Sequence, residues 1–184
     1  MLGYEKLSEI EGAYLFRNFF AADRRGSFLK ILQKSKLPPQ IAEIDFTESY
    51  ISTSQKNVIR GMHFQLPPYD VDKLVTVVNG AVLDVVLDMR KNSPAFGKSF
   101  AVKLGEGCEF RSFYIPTGCA HGFLALRDGS MMLYQTTCEF APAHDTGIRY
   151  DSFGFDWQIS QDDMIISEKD LALPPWNKDV TVFI

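Results

Sequence analysis

Short segments with alternating apolar and polar residues make up the middle of the chain, and turn dipeptides separate them. Two pairs of segments flank the strongest turns: 73–78 and 81–88 on either side of Asn79-Gly80, and 121–126 and 131–136 on either side of Asp128-Gly129. An Asn-Gly or Asp-Gly pair between alternating segments predicts a β-hairpin with a two-residue loop. Further strands are predicted over 98–104 and 112–115. Many short strands joined by tight turns indicate an all-β barrel or sandwich.

Helical patterns are scarce in this sequence. Short helical turns are predicted over 34–41 and 167–172, with Ser167 as the N-cap of the second. The last residues, 174–184, are expected to be irregular or extended. The sequence shows no internal repeat and no change of composition, so we expect residues 1–184 to form one domain.

The first predicted hairpin places two charged residues on an apolar face. With Asn79-Gly80 as its loop, Lys73 and Asp84 share a face with several valines and lie diagonally opposite each other, within side-chain reach. If that face is buried, neither charge is tolerated without a partner. The two residues therefore form a structural ion pair, lie on an open sheet surface, or line a pocket.

The second predicted hairpin places proton-transfer groups on one face. With Asp128-Gly129 as its loop, Phe123 lies opposite Tyr134, and His121 and Tyr134 are diagonal neighbours. A tyrosine that points inwards is most often a core residue, but histidine and tyrosine together supply two groups that donate or accept protons. The two hairpins together favour a polar pocket inside the barrel.

Composition and charge narrow the functional classes. The 184 residues carry 19 Lys and Arg against 23 Asp and Glu, a net charge of −4, which disfavours a nucleic-acid-binding surface. No apolar segment is long enough to span a membrane, and the chain does not start like a signal peptide. Three scattered cysteines are typical of a reducing compartment. We therefore expect a cytoplasmic protein with neither a nucleic-acid partner nor a membrane partner.

Two of the three histidines lie in motifs. His63 ends an Arg-Gly-x-His segment that starts at Arg60, and His121 ends a Pro-x-Gly-x-x-His segment. The second spacing resembles a signature of the cupin barrels, in which it brings a histidine to the barrel mouth. Metal-binding cupins have a second histidine where this chain has Gln65. Too few ligands converge for a metal site, and we expect no metal and no other cofactor.

Further blocks of sequence resemble those of the dTDP-4-dehydrorhamnose 3,5-epimerases, in the same order. The resemblance covers nearly the whole chain, and an Asp-x-Arg-Gly-x-Phe segment that contains Arg25 and Phe28 matches the opening block of the family. By itself, the basic turn at Arg25 is either a solvated turn or a diphosphate contact. The other blocks are RGMHFQ at 60–65, DKLV at 72–75, VVLDMRKNSP at 85–94, IPTGCAHGF at 115–123, LY at 133–134, GIR at 147–149 and ISEKD at 166–170.

This resemblance implies a metal-free, cupin-type double-sheet jelly roll that epimerises a nucleotide-diphospho-4-keto-6-deoxyhexose in deoxysugar or O-antigen-type biosynthesis. His63 would remove the proton beside the ketone, and Asp170 would hold its imidazole. Lys73 would stabilise the enolate oxygen, and Tyr134 would return a proton to the opposite ring face. The candidate substrate-binding residues are Arg60, His121, Arg25, Phe28, Gln65, Glu48, Tyr50, Asp84, Phe140, Asp145 and Lys169.

The family resemblance also implies a homodimer, in which an N-terminal strand carrying Arg25 and Phe28 completes the partner's site. Five positions depart from the usual family residues, and all five belong to regions that contact nucleotide or sugar: Lys30, Glu48, Tyr50, Phe140 and Tyr150. The four candidate catalytic residues, by contrast, match the usual family residues. We therefore leave open whether the carrier is dTDP or CDP, and whether inversion occurs at C3 alone or at C3 and C5.

The chemistry of epimerisation independently calls for these residue types. A proton beside a carbonyl is removable only if the charge that forms on oxygen is stabilised. Inversion without a cofactor needs one group that takes a proton and another that delivers one to the opposite face. Two rival functions remain: a non-catalytic cupin that binds sugar nucleotides, and a metal-dependent cupin oxygenase or isomerase.

Overall fold

The alternating sequence pattern folds into two packed antiparallel sheets and one separate hairpin. The computed structural model describes residues 3–183, so Met1, Leu2 and Ile184 lie outside the described residues. The strands are β1 (Gly3–Lys6), β2 (Tyr14–Arg17), β3 (Phe19–Asp23), β4 (Gly26–Lys30), β5 (Glu48–Ser54), β6 (Val58–Gln65), β7 (Lys73–Asn79), β8 (Ala81–Asp88), β9 (Ser99–Gly105), β10 (Ser112–Ile115), β11 (Cys119–Ala125), β12 (Ser130–Thr136), β13 (Asp145–Gly147) and β14 (Ile165–Ile166).

Helical structure is confined to short turns within the described residues. These are the helices α1 (Pro39–Ala42) and α2 (Glu168–Leu171), with 3-10 turns at Lys34–Lys36, Gln161–Asp163 and Lys178–Val180. The helical turns predicted over 34–41 and 167–172 are confirmed. Ser167 caps α2 as predicted, because its hydroxyl accepts a hydrogen bond from the Asp170 amide at 3.1 Å. No helix among residues 3–183 has the length and apolar character needed to cross a bilayer.

The two main sheets have different strand orders. The first sheet runs β1-β2-β10-β7-β12-β5, and the second runs β13-β6-β11-β8-β9, with β14 added in parallel to β6. Side chains from both sheets fill the interior between them, among them Val77, Val82, Phe113, Phe123 and Met132, all at most 2% exposed. Burial of each such side chain contributes about 1.5–3 kcal/mol. The all-β, double-sheet prediction is confirmed.

The outer faces of both sheets are also covered. On the second sheet, Val85 and Leu87 pack against the C-terminal segment at Trp157. On the first sheet, Leu74 packs against Ile41 of α1. Strand β8 is therefore buried along its whole length, which explains its almost uninterrupted apolar sequence.

Both predicted hairpins are wrong. Strand β7 pairs with β10 and β12, whereas β8 pairs with β9 and β11 of the other sheet. Strand β11 likewise pairs with β6 and β8, whereas β12 pairs with β5 and β7. Asn79-Gly80 and Asp128-Gly129 are therefore corners at which the chain crosses from one sheet to the other. The predicted inward faces are nevertheless correct, because the paired segments face each other across the interior.

The two corners meet at one end of the barrel. The Asn79 side chain donates a hydrogen bond to the Gly129 carbonyl at 2.9 Å, and the Ser130 hydroxyl donates to the Ala81 carbonyl at 3.0 Å. Gly80 has a φ of +71°, and a Cβ there would lie 2.6 Å from Ser130 Oγ. Only glycine fits this crossing without displacing its neighbour.

Strands β3 and β4 form a two-stranded hairpin outside both main sheets. Its residues are mostly exposed, including Phe28 at 57%. A buried polar chain anchors its base: Thr76 and Ser112 hydroxyls lie 2.7 Å apart, Ser112 donates to Asn18 Oδ1, and the Asn18 amide donates to the carbonyls of Lys30 and Ile31. The root of the hairpin is thus held to the first sheet.

Candidate active site

A cavity of about 380 Å³ opens between the two sheets, at the end of the barrel away from the corners. Its walls come from β5, β7 and β12 of the first sheet and from β6, β11 and β13 of the second. Ten of the predicted site residues line it: Glu48, Tyr50, Arg60, His63, Gln65, Lys73, His121, Tyr134, Phe140 and Asp145.

His63 lies on β6 and is held from behind by Asp170 of α2. Its Nε2 is 2.8 Å from Asp170 Oδ1, and its side chain remains 32% exposed to the cavity side. Burial alone raises the pKa of Asp170, but hydrogen bonds from His63, the Gly61 amide and Ser167 outweigh it, and the net shift is downward. Because the carboxylate is ionised, Nε2 carries a proton and Nδ1 is the basic nitrogen.

His121 lies on β11 directly opposite His63 on β6. Its Nε2 is 2.9 Å from Asp84 Oδ2, and this pair is almost completely buried, with Asp84 at 0% exposure. Burial is the main reason that the pKa of Asp84 is raised. The predicted diagonal pair of Lys73 with Asp84 is therefore wrong: the partner of Asp84 is His121, because the two strands that carry Lys73 and Asp84 belong to different sheets.

Two glycines allow the strands that carry the histidines to approach each other closely. Gly61 has a φ of +127°, and a Cβ there would lie 2.5 Å from the Cα of Gly122. The register of β6 and β11 also shifts by one residue between His121 and Phe123. A side chain at either glycine would separate the strands and displace both imidazoles.

Lys73 is buried beside the histidine pair. Its Nζ donates a hydrogen bond to the His63 carbonyl at 3.0 Å. Burial lowers the pKa of Lys73 to about 8, and the carboxylates of Asp145 and Asp84 limit that fall. Lys73 therefore remains a cation at neutral pH in a region of low dielectric constant, where its charge acts strongly on a developing anion.

Tyr134 reaches the cavity from β12, in the opposite sheet to the histidines. Its ring lies 6.3 Å from the ring of His121, and the Ser52 hydroxyl donates to its oxygen at 3.5 Å. Tyr50, its cross-strand neighbour on β5, stacks on it with ring centroids 4.7 Å apart. Burial raises the pKa of Tyr134 above its usual range, so the phenol is protonated at neutral pH.

Hydrogen bonds fix the loop that closes one side of the cavity. Glu48 accepts a hydrogen bond from the Phe140 amide at 2.8 Å, and the Gln65 side chain donates to the carbonyls of Tyr69 and Glu139. The Gln65 oxygen accepts from the Ala141 amide. Gln65 thus has its amide group engaged in holding the loop.

Some predicted residues lie away from the cavity wall. Asp170 and Asp84 stand behind the two histidines, and Lys169 contacts the cavity residue Asp145 at 2.7 Å. Arg25 and Phe28 lie on the exposed β3–β4 hairpin, where Arg25 pairs with Asp23. The structure does not bring these two hairpin residues to the cavity of the same chain.

Sequence reasoning missed several lining residues. Ser52, Phe64, Val71, Gly122 and Cys138 also contribute to the wall. A signal for Ser52 was present in the sequence, because it follows Glu48 and Tyr50 at spacings of two, the period at which a strand presents side chains to one face.

Comparison with known proteins identifies the family. Residues 7–178 match the model of the dTDP-4-dehydrorhamnose 3,5-epimerase family. The chain belongs to this family. The dTDP-4-dehydrorhamnose 3,5-epimerase of Methanothermobacter thermautotrophicus is 37% identical over 171 residues, which cover 91% of each chain. The chain described here is therefore an isomerase.

Solved structures of the epimerase family have the same fold. The dTDP-4-dehydrorhamnose 3,5-epimerase of Sulfolobus tokodaii superposes with a TM-score of 0.84 at 35% identity, over 100% of both chains. A 3'-monoepimerase of Streptomyces bikiniensis, in complex with dTDP-quinovose, has a TM-score of 0.78 at 28% identity and covers 92% of this chain and 85% of its own. The double-sheet barrel is thus the fold of the family.

Among residues 3–183, no group of three or more His, Cys, Asp or Glu side chains is arranged to hold a metal ion. Of the five positions expected to depart from the family pattern, Glu48, Tyr50 and Phe140 line the cavity, whereas Lys30 lies on the hairpin and Tyr150 packs at the edge of the outer core. The differences that reach the cavity are thus concentrated on β5 and on the loop at Phe140.

Proposed function

We propose that this epimerase inverts C3, or both C3 and C5, of a nucleotide-diphospho-4-keto-6-deoxyhexose by proton transfer without a cofactor. The observation that supports the proposal is that His63, Lys73 and Tyr134 line one cavity, with the imidazole and the phenol on opposite sheets. A sugar ring between the sheets then has one proton-transfer group on each face.

His63 is the base in this proposal. Its Nδ1 takes the proton from C3, the C–H electron pair forms the enolate double bond, and the carbonyl electrons move to O4. Asp170, whose pKa is lowered, stabilises the imidazolium that results. His63 later releases its proton to water, which its 32% exposure permits.

Lys73 and Tyr134 complete the reaction. The Lys73 ammonium stabilises the negative charge on O4, as an oxyanion-binding group does. Tyr134 then delivers its phenolic proton to C3 from the opposite face, and the tyrosinate regains a proton from water. The raised pKa of Tyr134 keeps the phenol protonated and ready to donate.

Deuterium exchange tests this mechanism directly. The purified protein is incubated in D₂O with dTDP-4-keto-6-deoxyglucose, and the labelled carbons are counted by NMR. We expect deuterium at C3, and a loss of exchange of about 10²–10⁴-fold in His63→Asn, which removes the base. Exchange that is unchanged in His63→Asn would disprove the assignment of the base. Tight binding with no exchange in the wild type would favour the rival function, a non-catalytic binding protein.

The same assay addresses the nucleotide and the number of inversions. Glu48, Tyr50 and Phe140, which depart from the usual family residues, line the cavity, so we treat CDP and dTDP as alternative carriers. Parallel incubations with the dTDP- and CDP-linked sugars compare kcat/KM. Label at C3 alone identifies a 3-epimerase, and label at both C3 and C5 a 3,5-epimerase.

We also propose that one domain spans the chain and works as a homodimer in the cytoplasm. The β3–β4 hairpin supports an exchange of arms, because it lies outside both main sheets and its Phe28 is 57% exposed and is not among the residues that line the cavity of the same chain. We expect a dimer by light scattering and a raised KM for Arg25→Ala, whose guanidinium would contact the diphosphate in the partner's site. A fully active monomer would contradict the proposal.

A further inference from the structure

Tyr50 and Tyr134 form a paired unit on the cavity wall. They lie directly opposite each other on β5 and β12, with ring centroids 4.7 Å apart and planes inclined by only 14°. Tyr50 is 44% exposed, whereas Tyr134 is buried. One face of the Tyr134 ring is therefore covered by another ring that itself faces the solvent.

Contacts restrict the Tyr134 ring from more than one direction. His121 meets it edge-on, at 67° between planes, and Tyr50 meets it face to face. The Ser52 hydroxyl, two residues after Tyr50 on the same strand, contacts its oxygen. Stacked aromatic pairs contribute about 0.5–1.5 kcal/mol beyond the area they bury, enough to favour one ring orientation.

We propose that Tyr50 is a positioning residue for Tyr134. The ring of Tyr50 holds the phenol of Tyr134 in the orientation that delivers a proton across the sugar. Tyr50 acts through Tyr134, and this inference rests on the proposed function. The exposed ring also keeps water from the stacked face of Tyr134, so the phenol stays in a region where burial raises its pKa.

The consequence is a specific change in how the enolate is consumed. The enolate has two fates: His63 returns a proton from the first face and restores the starting sugar, or Tyr134 protonates the second face and inverts the carbon. A displaced phenol slows only the second fate. In D₂O, the label then accumulates in the starting sugar relative to the inverted sugar.

The experiment compares two substitutions at position 50 by NMR in D₂O. In Tyr50→Asn, which removes the ring, we expect the ratio of inverted sugar to labelled starting sugar to fall roughly tenfold. A misplacement of about 1 Å can cost about a hundredfold, but the contacts of Tyr134 with His121 and Ser52 remain in this variant and limit the displacement. In Tyr50→Phe, which keeps the stacked ring, we expect the ratio to stay within twofold of that of the wild type. Ile51→Asn is the matched control on β5, because Ile51 is 56% exposed and points to the opposite face.

The outcomes separate the inference from the function on which it rests. A general loss of structure in Tyr50→Asn would lower exchange and inversion together and leave their ratio unchanged, which would overturn the positioning role. A ratio that falls equally in Tyr50→Phe would also overturn it, since the hydroxyl and not the ring would then matter. A wild-type protein that shows no exchange would disprove the proposed function itself.

Discussion

The molecule contains two histidine–aspartate pairs on adjacent strands, and their surroundings differ. In both pairs, Nε2 lies within 3 Å of a carboxylate oxygen: 2.8 Å for His63 and Asp170, and 2.9 Å for His121 and Asp84. The first pair is open on the imidazole side, at 32% exposure, whereas the second is buried at 4% and 0%. The pKa of Asp170 is lowered, whereas that of Asp84 is raised.

The difference shows how surroundings assign different tasks to the same pair of side chains. Asp170 receives further hydrogen bonds from a backbone amide and a hydroxyl, which favour its ionised form. In the proposed mechanism, that ionised form would stabilise the imidazolium that forms when His63 takes the proton from the sugar. Asp84 has little beyond His121 to offset its burial, so its pair is better suited to hold a fixed hydrogen-bond geometry in the cavity wall.

Among the substitutions that compare the two pairs, Asp170→Asn is expected to have the largest effect on activity. The amide no longer stabilises an imidazolium and can present its NH₂ group to Nε2, which favours the wrong tautomer. We expect exchange at C3 to fall by about a hundredfold or more. The exchange rate at saturating substrate is the measurement. Activity within twofold of the wild type would remove the distinction between the two pairs.

Asp84→Asn is expected to affect stability more than chemistry. The substitution is similar in shape but disturbs a wholly buried hydrogen-bonded pair, so we expect the free energy of unfolding to fall by about 1–3 kcal/mol. Exchange should fall only about tenfold, because His121 is displaced and His63 is not. Denaturant unfolding and the exchange assay give the two values. A larger loss of exchange than in Asp170→Asn would reverse the roles assigned above.

The smallest expected effect concerns pH. Lys73 is charged below its pKa of about 8, and burial is the main cause of that low value. Exchange should therefore fall as pH rises through about 8, since the neutral amine no longer stabilises the enolate. The Asp84 carboxylate helps to keep Lys73 charged, so in Asp84→Asn this fall should begin at a lower pH, by less than about one unit.

Asp170→Asn serves as the control for that pH profile, because Asp170 is absent from the charges that act on Lys73. In Asp170→Asn, the fall of the exchange rate above about pH 8 should occur at the same pH as in the wild type, although the rate itself is lower. A basic limb that moves in Asp170→Asn and not in Asp84→Asn would show that Lys73 is not the group that titrates.

The sequence pattern predicted which side chains point inwards, but it could not predict strand pairing. Val77 and Val82 share an inward face both in a hairpin at Asn79-Gly80 and across two sheets joined by a corner there, because side chains alternate with a period of two in either case. The burial pattern is therefore the same for both topologies. Only long-range pairing, such as that of β7 with β10 and β12, separates them.

In the cavity, too, the sequence predicted which residues point inwards but not which of them contact each other. His63, Lys73, His121 and Tyr134 were found from motifs and from alternation, and all four line the cavity. The partner of Asp84 and the stacking of Tyr50 on Tyr134 depend on the registers of β8 with β11 and of β5 with β12. These registers join residues about 40 to 80 positions apart, which no local pattern determines.

The corners at Asn79-Gly80 and Asp128-Gly129 place contacts that stabilise the barrel at the end opposite to the cavity. Bonds between Asn79, Ser130 and their neighbours hold the strands at one end of the barrel. Glu48, Tyr50 and Phe140 line the cavity at the other end. Substitutions around the cavity mouth can thus alter which sugar or carrier fits without disturbing the hydrogen bonds that join the corners.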